Sequence, residues 1–243
     1  MTWPVMELCD AQLLDVNPND ILCNGLYRKC NTYKGGGGYD KFPTIYQKRF
    51  GQKDDLNDQF VVQLRGCPLA CPYCYVTPTG VWSGNCHQVS TQDMVNAFYN
   101  SKCKVFHLMG GAPALYIYNW IDIIENIGDN VFHSDIMLVE GEYKKETIER
   151  LAKFPNTLHA VSIKGGTPEE FYKNTRTKLD EALLYKNLDL MVTSNLPFYF
   201  TFTGMEEHTI NIFKETILKR YNDASLLDDS FAITLIHYNA LDY

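Results

Sequence analysis

Short apolar runs alternate with amphipathic stretches along the chain from residue 59 onward. A short apolar run bounded by glycine or polar residues indicates a buried β-strand, whereas apolar positions at helical spacing indicate an amphipathic helix. The pattern predicts six strands, at residues 60–64, 104–109, 135–139, 158–163, 188–193 and 231–236. It predicts five helices between them, one running from residue 90 through 98 and the others at 115–127, 144–154, 167 to about 185, and 209–221.

Two of these helices begin with recognisable capping residues. Ser90 or Thr91 precedes Asp93, which places a hydroxyl at the cap and an acid in the first turn. Thr167 precedes Pro168 and two glutamates, an order that suits a helix start because proline fits the first helical position and acids complement the helix dipole. Both helix starts are therefore predicted at these residues.

Strand and helix alternate six times with short connections, which is the pattern of parallel βαβ units. Such units either close towards a barrel or open into a wound sheet, and six units fall short of the eight in a complete barrel. The regular pattern predicts an α/β domain over residues 59–243, preceded by an N-terminal extension over residues 1–58.

The extension contains a basic tract at residues 28–53. This tract contains seven cationic residues and one acidic residue, and six aromatic residues from position 27 to 50 are interleaved with them. Glycines 35–38 are expected to form a flexible loop. Cations hold phosphates and aromatics stack on bases, so the tract is predicted to cap the barrel mouth and contact an anionic substrate. The alternative is a solvated tract whose aromatics cover the open side of the barrel.

Composition narrows the class of protein. The chain has 243 residues, of which 45% are hydrophobic and 21% charged, so it is long enough for a substantial core. Its net charge of −7 disfavours nucleic-acid binding by bulk charge. It has no apolar run long enough to cross a membrane and no basic, apolar leader at its start. Together with scattered cysteines, these features predict a cytoplasmic protein without membrane association.

Three cysteines follow the strand at 60–64 directly. Cys67, Cys71 and Cys74 have the spacing Cys-x3-Cys-x2-Cys. Three thiolates leave a metal centre one open position, which marks catalytic rather than structural zinc sites, and thiolates also hold iron–sulfur clusters. The alternative is a non-catalytic zinc-binding module in which Cys86 or His87 supplies a fourth ligand, although zinc sites usually contain two Cys-x2-Cys pairs and this chain has one.

The cysteine segment resembles the radical S-adenosylmethionine (SAM) superfamily, whose motif is Cys-x3-Cys-x-aromatic-Cys, with Tyr73 as the aromatic residue. The resemblance implies a partial (β/α)6 TIM-like barrel, a [4Fe–4S] cluster on the three cysteines, and SAM at the iron that they leave free. It further implies reductive cleavage of SAM to methionine and a 5′-deoxyadenosyl radical, with an electron donor such as flavodoxin or ferredoxin.

Further site residues are expected where strands end, because ligands bind at the carboxyl ends of parallel strands. Gly110-Gly111-Ala112-Pro113 resembles the family's Gly-Gly-Glu-Pro motif, which contacts the methionyl moiety, with Ala112 in place of the glutamate. We expect Gly111→Val to block SAM binding with little loss of fold. Glu140, after the third predicted strand, is a candidate for the ribose hydroxyls of SAM.

Three later segments complete the expected SAM site. Ser162 and Lys164 lie in a segment that resembles the Asp-x-Lys segment of the glycyl-radical activases, in which Lys164 would pair with the SAM carboxylate. Ser194 and the neighbouring Asn195 follow the strand predicted at 188–193, where the adenine and ribose would lie. Asn239 stands where the activases have a histidine near the last strand.

The resulting hypothesis is an activase-like radical SAM enzyme whose radical abstracts a hydrogen atom from a peptide, protein or small-molecule substrate. Modification of a nucleotide or nucleic acid is the alternative within the same chemistry. The five remaining cysteines are expected to be ordinary buried residues, and His107 and His159 to be core residues or neighbours of the site.

Overall fold

The computed structural model describes residues 1–6, 21–23, 26–30, 41–51, 56, 58–74 and 86–233. In chain order the strands are β1 (Thr2–Met6), β2 (Ile21–Cys23), β3 (Leu26–Cys30), β4 (Asp58–Gln63), β5 (Cys86–Ser90), β6 (Val105–Met109), β7 (Val131–Ile136), β8 (Thr157–Ile163), β9 (Phe198–Thr203) and β10 (Phe231–Ile233). The α-helices are α1 (Phe42–Phe50), α2 (Thr91–Ser101), α3 (Trp120–Asn126), α4 (Lys145–Leu151), α5 (Pro168–Thr175), α6 (Glu181–Thr193) and α7 (Glu207–Tyr221). Two 3₁₀ segments cover Pro113–Asn119 and Ala224–Leu227.

Six parallel strands form the core of the fold. The main sheet has the order β10-β9-β8-β7-β6-β4-β3-β2, and every pair from β4 to β10 is parallel. This arrangement confirms the predicted α/β fold, a partial (β/α)6 TIM-like barrel.

The described strands of the extension join this architecture. The β2–β3 hairpin adds to β4 in antiparallel fashion, and β1 pairs with β5 as a separate two-stranded sheet. The division of the chain at residue 58 stays a prediction.

Alternate strand residues face opposite sides, as the pleat requires. On β4, Phe60 and Val62 face the helices and join the large hydrophobic cluster that includes Phe98 of α2. Gln59 and Gln63, which flank these two residues, are fully buried on the other face, inside the barrel. The helices therefore cover an apolar outer face, while the barrel lumen is lined in part by polar side chains.

The prediction for residues 188–193 is wrong. They form the end of α6, whose buried positions Leu184, Leu188 and Met191 have helical spacing. The fifth of the six parallel strands is instead β9, an aromatic and β-branched run that was not predicted. The single helix expected from 167 to 185 is likewise two helices, because α5 ends at Arg176 in the left-handed conformation. Both predicted helix starts are confirmed, since Ser90 and Thr167 accept hydrogen bonds from Asp93 N and Glu170 N.

The described part of the basic tract lies at the wrong end of the barrel for the predicted lid. Ile45 and Tyr46 of α1 pack against Val105 and Val131, the first residues of β6 and β7. The helix therefore closes the amino-terminal end of the barrel, opposite the edge where the cysteine loop begins. The predicted lid at the mouth is therefore wrong for α1. Residues 31–40 of the tract lie outside the described residues, and an anionic substrate stays a prediction.

None of the helices in the described ranges combines the length and the apolar character that a membrane span requires.

Candidate active site

The three cysteines lie in a loop that leaves β4 at the carboxyl edge of the parallel strands. Each is partly exposed. Met6, which is fully buried, packs against Cys67 and Cys74, and the Leu69 amide donates a 3.4 Å hydrogen bond to Cys67 Sγ. Burial raises the pKa of the Cys67 thiol to about 12. A thiolate at this position therefore needs a compensating positive charge, which a bound metal centre supplies.

Backbone contacts hold this loop against the rest of the barrel. Ala70 N donates to Thr175 O at 2.9 Å, which joins the loop to the end of α5, and Cys74 N donates to Cys71 O at 3.0 Å. A small apolar cluster of Leu69, Ala112, Met137 and Phe171 packs against Cys67 and Cys71. The cysteines are thus held by side chains that follow β6, β7 and β8, in addition to their own loop.

Lys164 extends from the end of β8 towards the cysteine loop. Its Nζ lies 5.6 Å from the ring centroid of Tyr73, and the Tyr73 hydroxyl donates to Thr203 O at 3.4 Å. Burial by itself lowers the pKa of Lys164, but the Tyr73 phenol and the three nearby thiols raise it overall. The Lys164 ammonium therefore faces the cysteine loop, where it complements anionic groups.

The glycine turn after β6 is built against the cysteine loop. Gly110 and Gly111 have φ of 69° and 59°, and Ala112 N donates to Gly66 O at 2.7 Å. A Cβ on Gly111 would lie 2.3 Å from the Leu64 carbonyl oxygen and 2.6 Å from that of Gly66. The expectation that Gly111→Val spares the fold is therefore wrong, because the side chain would collide with the protein backbone itself.

Glu140 is directed into its own loop. Its carboxylate accepts from Met137 N at 2.5 Å and from the Tyr143 hydroxyl at 2.8 Å. Burial raises its pKa, and these hydrogen bonds partly offset the rise. Glu140 thus orders the loop after β7, and its contact with a ribose stays a prediction. Ser162, on β8, lies 3.3 Å from the hydroxyl of Thr203 on the neighbouring strand.

Two predicted site residues do not join this group. Ser194 caps the carboxyl end of α6 and precedes β9, so it lies at the amino edge of the sheet, together with Asn195. Its placement beside the adenine is wrong because it depended on the mistaken strand at 188–193. Asn239 lies outside the described residues.

Sequence reasoning missed Glu170 as an organising residue of the site. One carboxylate oxygen accepts from Gly166 N at 2.8 Å, and the other accepts from Glu206 N at 2.9 Å and Thr209 Oγ1 at 2.7 Å. Asn174 similarly donates to Lys164 O at 2.8 Å and to Gly204 O at 2.9 Å. These side chains join the loops after β8 and β9. The sequence alone indicates only that Glu170 is an acidic residue in the first turn of a helix.

The zinc alternative receives no support from the arrangement. Among the residues that the structure describes, no three His, Cys, Asp or Glu side chains converge as the ligands of one metal ion would. Cys86 Sγ instead accepts a 3.3 Å hydrogen bond from Arg65. A [4Fe–4S] cluster does not need such convergence, because each cysteine binds a different iron. Three partly buried thiols on one loop, with the Lys164 ammonium nearby, are a donor set that fits such a cluster.

Several solved structures share the fold of this chain. The fold matches the Streptococcus suis enzyme SuiB bound to the precursor peptide SuiA, with a TM-score of 0.54 and 14% identity over 75% of this chain and 41% of that one. It matches anSMEcpe with bound AdoMet and a Kp18Cys peptide (TM-score 0.53, 13% identity, 73% of this chain and 51% of that chain). It also matches methylornithine synthase, PylB, with a TM-score of 0.51 and 10% identity over 82% of this chain and 58% of that chain.

The chain spans about half the length of these solved structures. No curated protein matches it. The family model described as the Radical SAM superfamily matches residues 61–219, which include the cysteine loop, the glycine turn and Lys164. The chain therefore belongs to the radical SAM superfamily, whose enzymes use a [4Fe–4S] cluster and S-adenosylmethionine.

Proposed function

We propose that Cys67, Cys71 and Cys74 hold the [4Fe–4S] cluster of this enzyme. The observation that carries the proposal is the meeting of the cysteine loop, the glycine turn and Lys164 at one edge of the barrel. When bound, the cluster supplies the electron that cleaves SAM to methionine and a 5′-deoxyadenosyl radical.

The chain's own residues bind and orient SAM. The glycine turn presents backbone without side chains beside the cysteine loop, and Ala112 adds no charge there. Lys164 offers its ammonium to the SAM carboxylate, with Tyr73 packed beside the ammonium and Ser162 on the same strand. The apolar cluster packed against Cys67 and Cys71 shields one side of these thiols from water.

The substrate class proposed is a peptide or protein. Support comes from two structures of the same fold that contain peptides, SuiB with its precursor peptide and anSMEcpe with a Kp18Cys peptide. A small-molecule substrate is the second candidate, and the fold of methylornithine synthase supports it. No disulfide joins Cys67, Cys71, Cys74, Cys86 or Cys103, which suits a reducing cytoplasm where flavodoxin or ferredoxin supplies the electron.

Single Ala variants of the three loop cysteines test the assignment. After anaerobic reconstitution with iron and sulfide, each should lose cluster absorbance and the formation of 5′-deoxyadenosine from SAM with dithionite. Cys103→Ala is the matched control because Cys103 is buried before β6, away from the loop, and the variant should keep both properties. Stoichiometric zinc without acid-labile sulfide, or a loop-cysteine variant with wild-type activity, would show that the assignment is wrong.

A further inference from the structure

The lumen of the barrel contains a connected row of polar side chains that the cofactor site does not use. His107, on β6, is 1% exposed. Its Nδ1 lies 2.5 Å from Gln59 Oε1 on β4, and its Nε2 lies 3.3 Å from Asp135 Oδ1 on β7. The imidazole therefore meets an oxygen at each nitrogen, and this fixes the ring and directs one nitrogen at the carboxylate.

The row rises from the closed end of the barrel to its open end. Gln59 lies beside Val105 at the start of β6, His107 lies one pleat further along, and Asp135 lies one pleat beyond His107 on the next strand. The side chain of His107 is 2% exposed and that of Asp135 is 33% exposed. Asp135 thus marks the level at which the buried interior gives way to the accessible mouth.

Asp135 lies close beneath the cofactor site. It is in register with Ala160 on β8, and Ser162 follows two residues further along that strand, about 7 Å nearer the carboxyl edge. Lys164 comes two residues after Ser162. A molecule entering from this edge therefore passes the cofactor residues before it reaches the carboxylate.

Below His107, the described residues at the closed end of the lumen supply no cation to Asp135. His133 is held between the hydroxyls of Tyr46 at 3.1 Å and Tyr199 at 2.9 Å. Burial, followed by the neighbouring His107 and His159, lowers the pKa of His133 well below its usual value. His133 is therefore neutral, and α1 blocks entry from below.

Asp135 is the one Asp or Glu at a lumen-facing position of the described strands, and its bond to His107 is its one side-chain hydrogen bond within the described part of the chain. Among the described residues, no side chain bonds to its second carboxylate oxygen. A carboxylate at the boundary of a low-dielectric lumen favours a positively charged donor over a neutral one.

We propose that Asp135 binds a protonated nitrogen of the substrate, an ammonium or guanidinium group, and that His107 is the positioning residue that holds the carboxylate towards the mouth. The inference rests on the proposed function, since it takes the lumen beside the SAM site as the substrate chamber. It assigns a cationic group to the substrate, in place of the anionic substrate expected from the basic tract.

Binding of two matched probes to the reconstituted protein with SAM tests the inference. n-Butylguanidinium carries the charge, and n-butylurea is its neutral counterpart of similar shape. Isothermal titration should show n-butylguanidinium binding at least tenfold more tightly than n-butylurea to the wild type. Asp135→Asn should abolish this preference, whereas Asp122→Asn, which changes an exposed carboxylate on the outer α3, should keep it.

Two His107 variants separate positioning from a structural role. His107→Gln retains a hydrogen-bond donor and should keep part of the charge preference, whereas His107→Leu should lose the preference while it still contains the cluster and cleaves SAM. Equal binding of the two probes to the wild type, or an unchanged preference in Asp135→Asn, overturns the inference.

The same samples keep this test distinct from that of the proposed function. Asp135→Asn should still contain the cluster and release 5′-deoxyadenosine when reduced without substrate. Loss of cluster and SAM cleavage in the wild type would refute the proposed function, whereas a wild type that cleaves SAM and ignores the probe's charge would refute the inference alone.

Discussion

Gly111 is expected to tolerate no side chain, and the cost can be worked from the turn geometry. The left-handed φ of 59° alone costs a non-glycine residue about 1–2 kcal/mol. The added Cβ would also lie 2.3 Å from the Leu64 carbonyl oxygen, and backbone cannot rotate aside as a flexible side chain can. Overpacking of this kind costs about 1–3 kcal/mol or more. We therefore expect Gly111→Ala to lower the free energy of unfolding by about 2–5 kcal/mol.

Gly128 provides the matched control for this substitution. Its φ of 61° is nearly that of Gly111, but a Cβ there would meet nothing nearer than Tyr99 Oη at 3.9 Å. Gly128→Ala therefore isolates the conformational cost, and the difference between the two variants measures the collision.

Urea unfolding of the reduced chain, followed by tryptophan fluorescence, gives both values. Gly111→Ala should also bind less iron on reconstitution, because its turn holds Gly66 beside the first cysteine. Equal losses of stability in the two variants would refute the reasoning.

Two further predictions concern buried polar groups. Glu170→Gln should lower the free energy of unfolding by about 1.5–3 kcal/mol, because an amide nitrogen replaces one of the two carboxylate oxygens that accept from three donors. Urea unfolding measures this loss, with the exposed Glu169→Gln as the control. Equal unfolding midpoints of the two variants would contradict the prediction. His159 is neutral in the folded chain because burial lowers its pKa to about 3, whereas an unfolded histidine protonates near pH 6.5. Its contribution to stability is therefore present above about pH 6.5 and is lost as the pH falls towards 3, with a slope of about 1.4 kcal/mol per pH unit. His159→Phe should remove that slope from the unfolding free energy between pH 6 and 5, whereas the exposed His208→Gln should leave it unchanged; an unaltered slope in His159→Phe would show that the burial argument is wrong.

Two segments of the chain have a local pattern that suits more than one structure. Residues 188–193 are apolar enough for a strand, but Asp180 caps a helix by accepting from Leu183 N, and the helix runs on through Thr193. The strand β9 was overlooked although its residues alternate and are aromatic or β-branched. Ser194 was misplaced as a direct consequence, since its predicted role depended only on the strand before it.

The cysteine spacing, the glycine turn and the repeated strand–helix units could be predicted because each depends on residues close together in sequence. Hydrophobic periodicity and helix capping are local properties, and so five of the six parallel strands and the two helix starts could be predicted. The position of α1 could not be predicted from the sequence, because a basic, aromatic segment fits either end of a barrel until its long-range contacts are known. Only the tertiary structure brings Gln59, His107 and Asp135 into one row and directs Glu170 to three donors. Those contacts join residues far apart in the chain, and their geometry follows from sheet register and helix packing, which no short stretch of sequence determines.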